Sequence, residues 1–156
     1  MTVNQEDKVE RSKQIKKIER LLRYYTYYKV GLMNLQKQLD YIMPEITARY
    51  EFVKGTVGTF KLTSQTEKFA IDRIESKKAL MLYEDIERYN IIIDSIDEAV
   101  SELDPIEREF IEKRYINRMP MKQTAQEMGY SEKYLFSIRN QAMDKLLISL
   151  RGLLEF

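Results

Sequence analysis

Residues 124–146, TAQEMGYSEKYLFSIRNQAMDKL, read as two short amphipathic helices hinged at Gly129. Projected as a helix from Ser131 to Lys145, the second places Leu135, Ile138, Ala142 and Leu146 on one side. Lys133, Ser137 and Asn140 fall opposite, flanked by Tyr134, Phe136 and Gln141. The apolar stripe has to pack on something, and the polar face is then left to meet a partner. Spacing decides whether the hinge serves such a partner or only closes a small core.

In a helix-turn-helix the two helices approach so closely that the fifth position takes a small residue. The ninth needs positive φ, and the fifteenth and eighteenth must be apolar to hold the second helix on the core. With Gly129 as ninth, the fifth is Ala125, the eighth Met128, the fifteenth Leu135 and the eighteenth Ile138. All five agree. Ser131 is suited to cap the second helix, although no Glu or Gln stands at 134 to complete a capping box.

Moving outward, SELDPIEREFIEKRYINRMP at 101–120 marks another helix start. Asp104 is a good N-cap, Pro105 suits the first helical position, and Glu107 completes a capping-box-like pair. The pattern predicts about three turns with Ile106, Phe110, Ile111, Tyr115 and Ile116 on the apolar side. They end by Asn117, which tolerates a left-handed conformation, before Met119 and Pro120.

Further back lie two long helical patterns. From Lys8 to Met43 the apolar residues Ile15, Ile18, Leu22, Tyr25, Tyr28, Leu32, Leu35, Leu39 and Ile42 recur every three or four, with Gly31 a place to bend. From Glu67 to Leu103 the series Ala79, Leu82, Ile86, Tyr89, Ile93, Ile96, Val100 and Leu103 alternates threes and fours, a coiled-coil-like seam that needs a partner helix. That partner is either the first helix, folded back as an antiparallel hairpin, or a second subunit. Opposite charge favours the hairpin: residues 8–23 carry a balance of +5 and residues 67–103 one of −5. Tyr24, Tyr25, Tyr27 and Tyr28 read as packing residues rather than a base-stacking platform. Residues 44–66, with Pro44, Gly55 and Gly58, break the period and are expected to form a loop that is mobile, a short hairpin or functional.

The absence of Cys and His removes disulfides, thiol nucleophiles, Cys/His zinc sites and the usual triads. Carboxylates such as Asp94, Asp97 and Glu98 stand in an acidic helix with no glycine-rich phosphate loop nearby, so neither catalytic nor metal residues nor a cofactor are expected. No apolar run approaches the roughly 20 residues that span a bilayer, so a cytoplasmic protein without a membrane partner is expected.

The larger pattern at 103–147 resembles the fourth region of bacterial housekeeping-type sigma factors. The matching residues are Leu103, Asp104 and Pro105, then Glu107 and Arg108, Arg114 and Tyr115, Ala125 with Gly129 and Ser131, and Ala142 with Leu146. With a helical hairpin ahead of it, the whole is similar to small phage late-gene regulators of the ArpU and RinA kind. This resemblance implies an all-α protein: a long helical hairpin with its loop over residues 1–103, used for oligomerisation, then a small sigma-like helix-turn-helix domain over 104–156. It further implies a sequence-specific activator of phage or prophage late genes, not an enzyme, with double-stranded DNA and RNA polymerase as partners and a homodimer as its working form.

The resemblance puts base reading in the 132–137 region, bringing in Glu132. Chemistry adds Lys133 for guanine, Asn140 or Gln141 for adenine, Ser137 for several edges and Phe136 for a thymine methyl. Lys122, Gln123, Tyr134 and Arg139 are the expected backbone contacts. Two other readings stay open at this point: a phage small terminase subunit that binds packaging-start DNA, and a degenerate helix-turn-helix that docks on polymerase or a sigma factor. A balance of only +2 over residues 104–151 is weak for a lone DNA-binding module, and dimerisation or the basic stretch at 8–23 would supplement it.

Overall fold

The computed structural model describes the backbone of residues 3–55 and 62–155 and the side chains of residues 4–43 and 73–155. Two long helices, α1 (Val3–Gly55) and α2 (Leu62–Ser101), precede three shorter ones, α3 (Pro105–Ile111), α4 (Met121–Met128) and α5 (Glu132–Ser149). A π-helical segment, Glu112–Ile116, extends α3, and a 3-10 turn, Arg151–Glu155, follows α5. No strand occurs among the described residues, so the all-α class expected from the sequence holds. None of their helices is long and apolar enough to cross a membrane.

The long helices overrun their expected ends. α1 continues past Pro44 to Gly55, and α2 begins at Leu62, so the loop expected over 44–66 is helical at both margins. Proline deletes one backbone donor, which a helix of this length can close around. Residues 56–61, the rest of that expected loop, lie outside the described residues.

The chain divides into two compact units, one of Met1–Lys29 with Ile91–Phe156 and one of Val30–Asn90. This is not the division expected at 103/104, and hydrogen bonds across that boundary give the reason. Tyr115 and Arg139 both donate to Glu19 of α1. Arg108 donates to the carbonyls of Val100, Ser101 and Leu103 at and just beyond the C-terminus of α2. A cut after Leu103 would sever a core that holds Ile18, Leu22, Ile96 and Val100 together with Phe110, Leu135 and Leu146.

Both three-four series are the covered sides of their helices. In the first unit Ile18, Leu22 and Tyr25 of α1 are buried, as are Ile93, Ile96 and Val100 of α2, and the Tyr25 hydroxyl donates to the Asp97 carboxylate. In the second unit the ring of Tyr89 lies against Gly31, so close that a Cβ there would stand 2.7 Å from Tyr89 Cε2. Gly31 therefore admits an aromatic ring; α1 is not interrupted at this position. Tyr25 and Tyr28 are at least half-buried, while Tyr24 and Tyr27 are exposed.

Local chemistry starts α3 as its sequence requires. The Asp104 N–H donates to Glu107 Oε2 at 3.2 Å, with Pro105 in the first turn. Glu107 does more than cap: its carboxylate is 1% exposed and accepts from Lys145 Nζ of α5 at 2.9 Å. At the other end, Asn117 N–H reaches back five residues to Glu112 O, the wide turn of a π-helix. Asn117 is right-handed at φ −82°, and the left-handed residue is Arg118 at φ 57°. The expected reversal thus moves one residue on, because the wide turn takes up an extra residue before the chain can turn back.

Candidate nucleic-acid interface

The hinge has the geometry its spacing requires. Gly129 ends α4 at φ 74°, and both its N–H and that of Tyr130 donate to Ala125 O, at 3.0 and 3.1 Å. An added Cβ at Gly129 would meet nothing within 4 Å, so glycine is needed here for its backbone conformation alone. Ala125 is buried where α4 approaches α5. Ser131 caps α5, its Oγ accepting from Tyr134 N–H at 3.2 Å.

On α5, Leu135, Ile138, Ala142, Met143 and Leu146 are buried. Glu132, Lys133, Phe136, Ser137, Asn140 and Gln141 are exposed, Phe136 by 51% despite its apolar ring. One continuous outer face therefore carries a carboxylate, an ammonium, a hydroxyl, two amides and an aromatic ring, chemistry that can match base edges in a major groove. On α4, Lys122 is exposed, and Gln123 is exposed with its amide donating to Glu127 Oε1 at 3.3 Å. The exposed ring of Tyr134 leans on Tyr130, with centroids 5.0 Å apart, which holds both rings at the start of α5. No group of three or more His, Cys, Asp or Glu among the described residues could hold a metal ion.

Arg139, expected as a backbone contact, has partners within the protein. Its side chain is only 24% exposed, and it donates to Glu19 Oε1 at 2.6 Å and to the Tyr115 hydroxyl at 3.0 Å. Tyr115 donates in turn to the same Glu19 oxygen at 2.8 Å. Burial pushes the Glu19 carboxyl up, but the bonds from Arg139 and Tyr115 outweigh it and leave the group below its ordinary value of 4.5. Burial and the bond to Glu19 push the Tyr115 phenol up to about 12. The guanidinium thus joins α1, α5 and the π segment.

Glu19, Tyr115, Lys145 and Glu107 were not among the expected site residues. For Arg139 the signal was present: the series Leu135, Arg139, Ala142, Leu146 runs 4, 3, 4 and puts the arginine on the margin of the buried stripe. Its acceptor on α1 lies 120 residues away and leaves no periodic trace.

The family model described as sigma-70, region 4 matches residues 99–146, about a third of the chain. No curated protein and no solved structure matches it. The matched span runs from the end of α2 through most of α5 and contains the capped α3, the Gly129 hinge and the outer face described above. This part of the chain is a sigma region 4-like helix-turn-helix, a kind of domain that binds DNA, and it is compatible with a part in regulating transcription.

Proposed function

We propose that this chain is a sequence-specific regulator of transcription, an activator of phage or prophage late genes, which lays α5 in the major groove and reads bases with the face bearing Lys133, Ser137 and Asn140. The observation that carries the reading is the pairing of a region 4 match with a properly formed Gly129 hinge that leaves this face clear. Glu132, Phe136 and Gln141 widen the same face, and the exposed Lys122, Gln123 and Tyr134 are our proposed backbone contacts. The phage assignment draws on the sequence's likeness to the ArpU and RinA regulators, in which a helical hairpin precedes such a domain.

The working form we propose is a homodimer joined through α1 and α2, acting together with RNA polymerase. Two copies would address two half-sites and supplement the weak charge of a single domain. Selection of bound duplexes from a random pool tests the reading. A defined site should emerge, with half-site spacing that reports the dimer, and Lys133→Ala or Asn140→Ala should each lose it. If no site is enriched, or selection is indifferent to both substitutions, base reading fails and docking on polymerase takes its place. A ring-sized mass in solution would instead favour the small terminase reading.

A further inference from the structure

The basic side chains of the first unit fall into two groups. Arg11 pairs with Asp144, Lys113 with Glu127, Arg139 with Glu19, and Lys145 with Glu107 and Asp104. Among those that make no ion pair with a described residue are Lys13, Lys16, Arg20 and Arg23, all exposed, on α1. Their spacing of 3, 4 and 3 puts them on one face of the helix, over roughly 15 Å at about 1.5 Å per residue.

Like charges three and four apart on a helix repel one another, and the usual remedy is an interleaved carboxylate. The acid in the middle of this row is Glu19, and the fold has turned it inward to Arg139 and Tyr115. Glu19 still acts on Arg23 through space, while Lys13, Lys16 and Arg20 are left positive by the same contact that fastens α1 to α5. The row's two guanidinium groups are also held in place, Arg20 over the Tyr24 ring at 5.7 Å and Arg23 over the Tyr115 ring at 5.8 Å. Beyond the row, Arg118 lies 4.4 Å over the exposed Tyr27 ring and donates to its hydroxyl at 3.0 Å, also without a carboxylate. Such stacking lowers the entropy lost when an arginine engages an anion.

We propose that this face of α1, centred on Lys13, Lys16, Arg20 and Arg23, is a second nucleic-acid surface that grips duplex phosphates while α5 reads bases. The inference rests on the DNA-reading function above and goes beyond the region 4 match, which does not reach α1. Position supports it: α1 runs alongside α5 in the opposite direction, with Arg11 at Asp144 and Glu19 at Arg139. Arg23 meets the ring of Tyr115, whose hydroxyl touches Arg139, so the row begins one side chain away from the reading helix. Charge supports it as well, because residues 104–151 carry a balance of only +2 and non-specific affinity for duplex scales with phosphates neutralised.

The test uses the full chain carrying Lys13→Gln, Lys16→Gln and Arg20→Gln together, with Arg23 kept because it lies on Tyr115. Binding to a labelled duplex of random sequence is followed over a salt series, beside wild type and a Lys133→Ala/Asn140→Ala variant. Circular dichroism and solution mass confirm that the fold and assembly are unchanged. The triple variant should bind every sequence about tenfold or more weaker, and its plot of log affinity against log salt should be shallower by up to about 2.7, three contacts at about 0.9 each. The site chosen in a selection should stay the same.

Wild-type affinity and slope in the triple variant would overturn the proposal and leave base reading intact. A weaker, shallower triple variant beside a Lys133→Ala/Asn140→Ala variant that behaves as wild type would uphold the phosphate surface and sink base reading. Failure of wild type to bind duplex at all would remove both. A loss of self-association with the salt slope unchanged would also overturn the proposal, and would assign the row to an acidic face of a second copy.

Discussion

The two compact units solve the same problem to different depths. In the unit of Met1–Lys29 and Ile91–Phe156, Phe110, Ile111, Leu135, Ala142, Met143 and Leu146 are wholly buried. In the unit of Val30–Asn90, Ile86, at 6% exposure, is the one buried residue among those described, and Val30, Met33, Leu80, Met81 and Tyr83 stand in solvent. Two helices side by side bury one stripe each and no more. Three further helices close the first unit, so its residues are covered from several directions. Stability therefore concentrates beside the candidate interface, and the thinner unit keeps the apolar surface that our proposed dimer would use.

Truncation of core side chains should break this contrast most visibly. Phe110→Ala should cost about 3–5 kcal/mol, whereas Leu82→Ala, on the half-covered seam of the second unit, should cost about 2 kcal/mol or less. Urea unfolding followed by circular dichroism measures both, and equal losses would show that the two units are equally consolidated.

A smaller effect separates two cations on α5. Arg139→Ala should cost about 3 kcal/mol because it strands the partly buried Glu19, while Lys133→Ala should stay within about 0.5 kcal/mol. Folding holds Glu19 below 4.5, so the stability it contributes is full above that pH and is lost as pH falls through the lower folded value. Tyr115 titrates in the other sense, its contribution full below pH 10 and lost as pH rises from there through about 12. Unfolding midpoints measured against pH should show both flanks, and Glu19→Gln should flatten the acidic one.

A small effect is also expected of Gly31→Ala. Helix propensity favours alanine by about 1 kcal/mol, but the Cβ would stand 2.7 Å from the Tyr89 ring, which must shift. A net loss of about 1 kcal/mol or less is expected in thermal unfolding. A gain would mean that the ring moves aside without cost and that the second unit is packed still more loosely.

What was legible in the sequence follows the reach of each interaction. Helix periods, the Asp104 start and the Gly129 hinge depend on residues within a few positions of one another, and each stands where its spacing put it. The end of α1 was misjudged because Pro44 was given more weight than a long helix concedes to one missing donor. The exposed face of α5 was legible in the sequence, and the inward turn of Arg139 was not. Lys133 and Asn140 are exposed because their neighbours at three and four positions are not, whereas Arg139 is withdrawn by a glutamate on another helix. The compact units do not divide at 103/104 for the same reason, since Ile18, Leu22 and Tyr25 complete a core whose other members lie at Ile92 and beyond.

The first unit is built from both ends of the chain, and this has a consequence in time. Residues 1–29 leave the ribosome with their apolar stripe uncovered, and residues 30–90 must be made before any covering partner follows. At about 5–20 residues per second that delay is roughly 3–12 s. For that interval the basic, tyrosine-bearing start of α1 is a nascent helix without its core, and the earliest cover available to it is another such helix on a neighbouring ribosome.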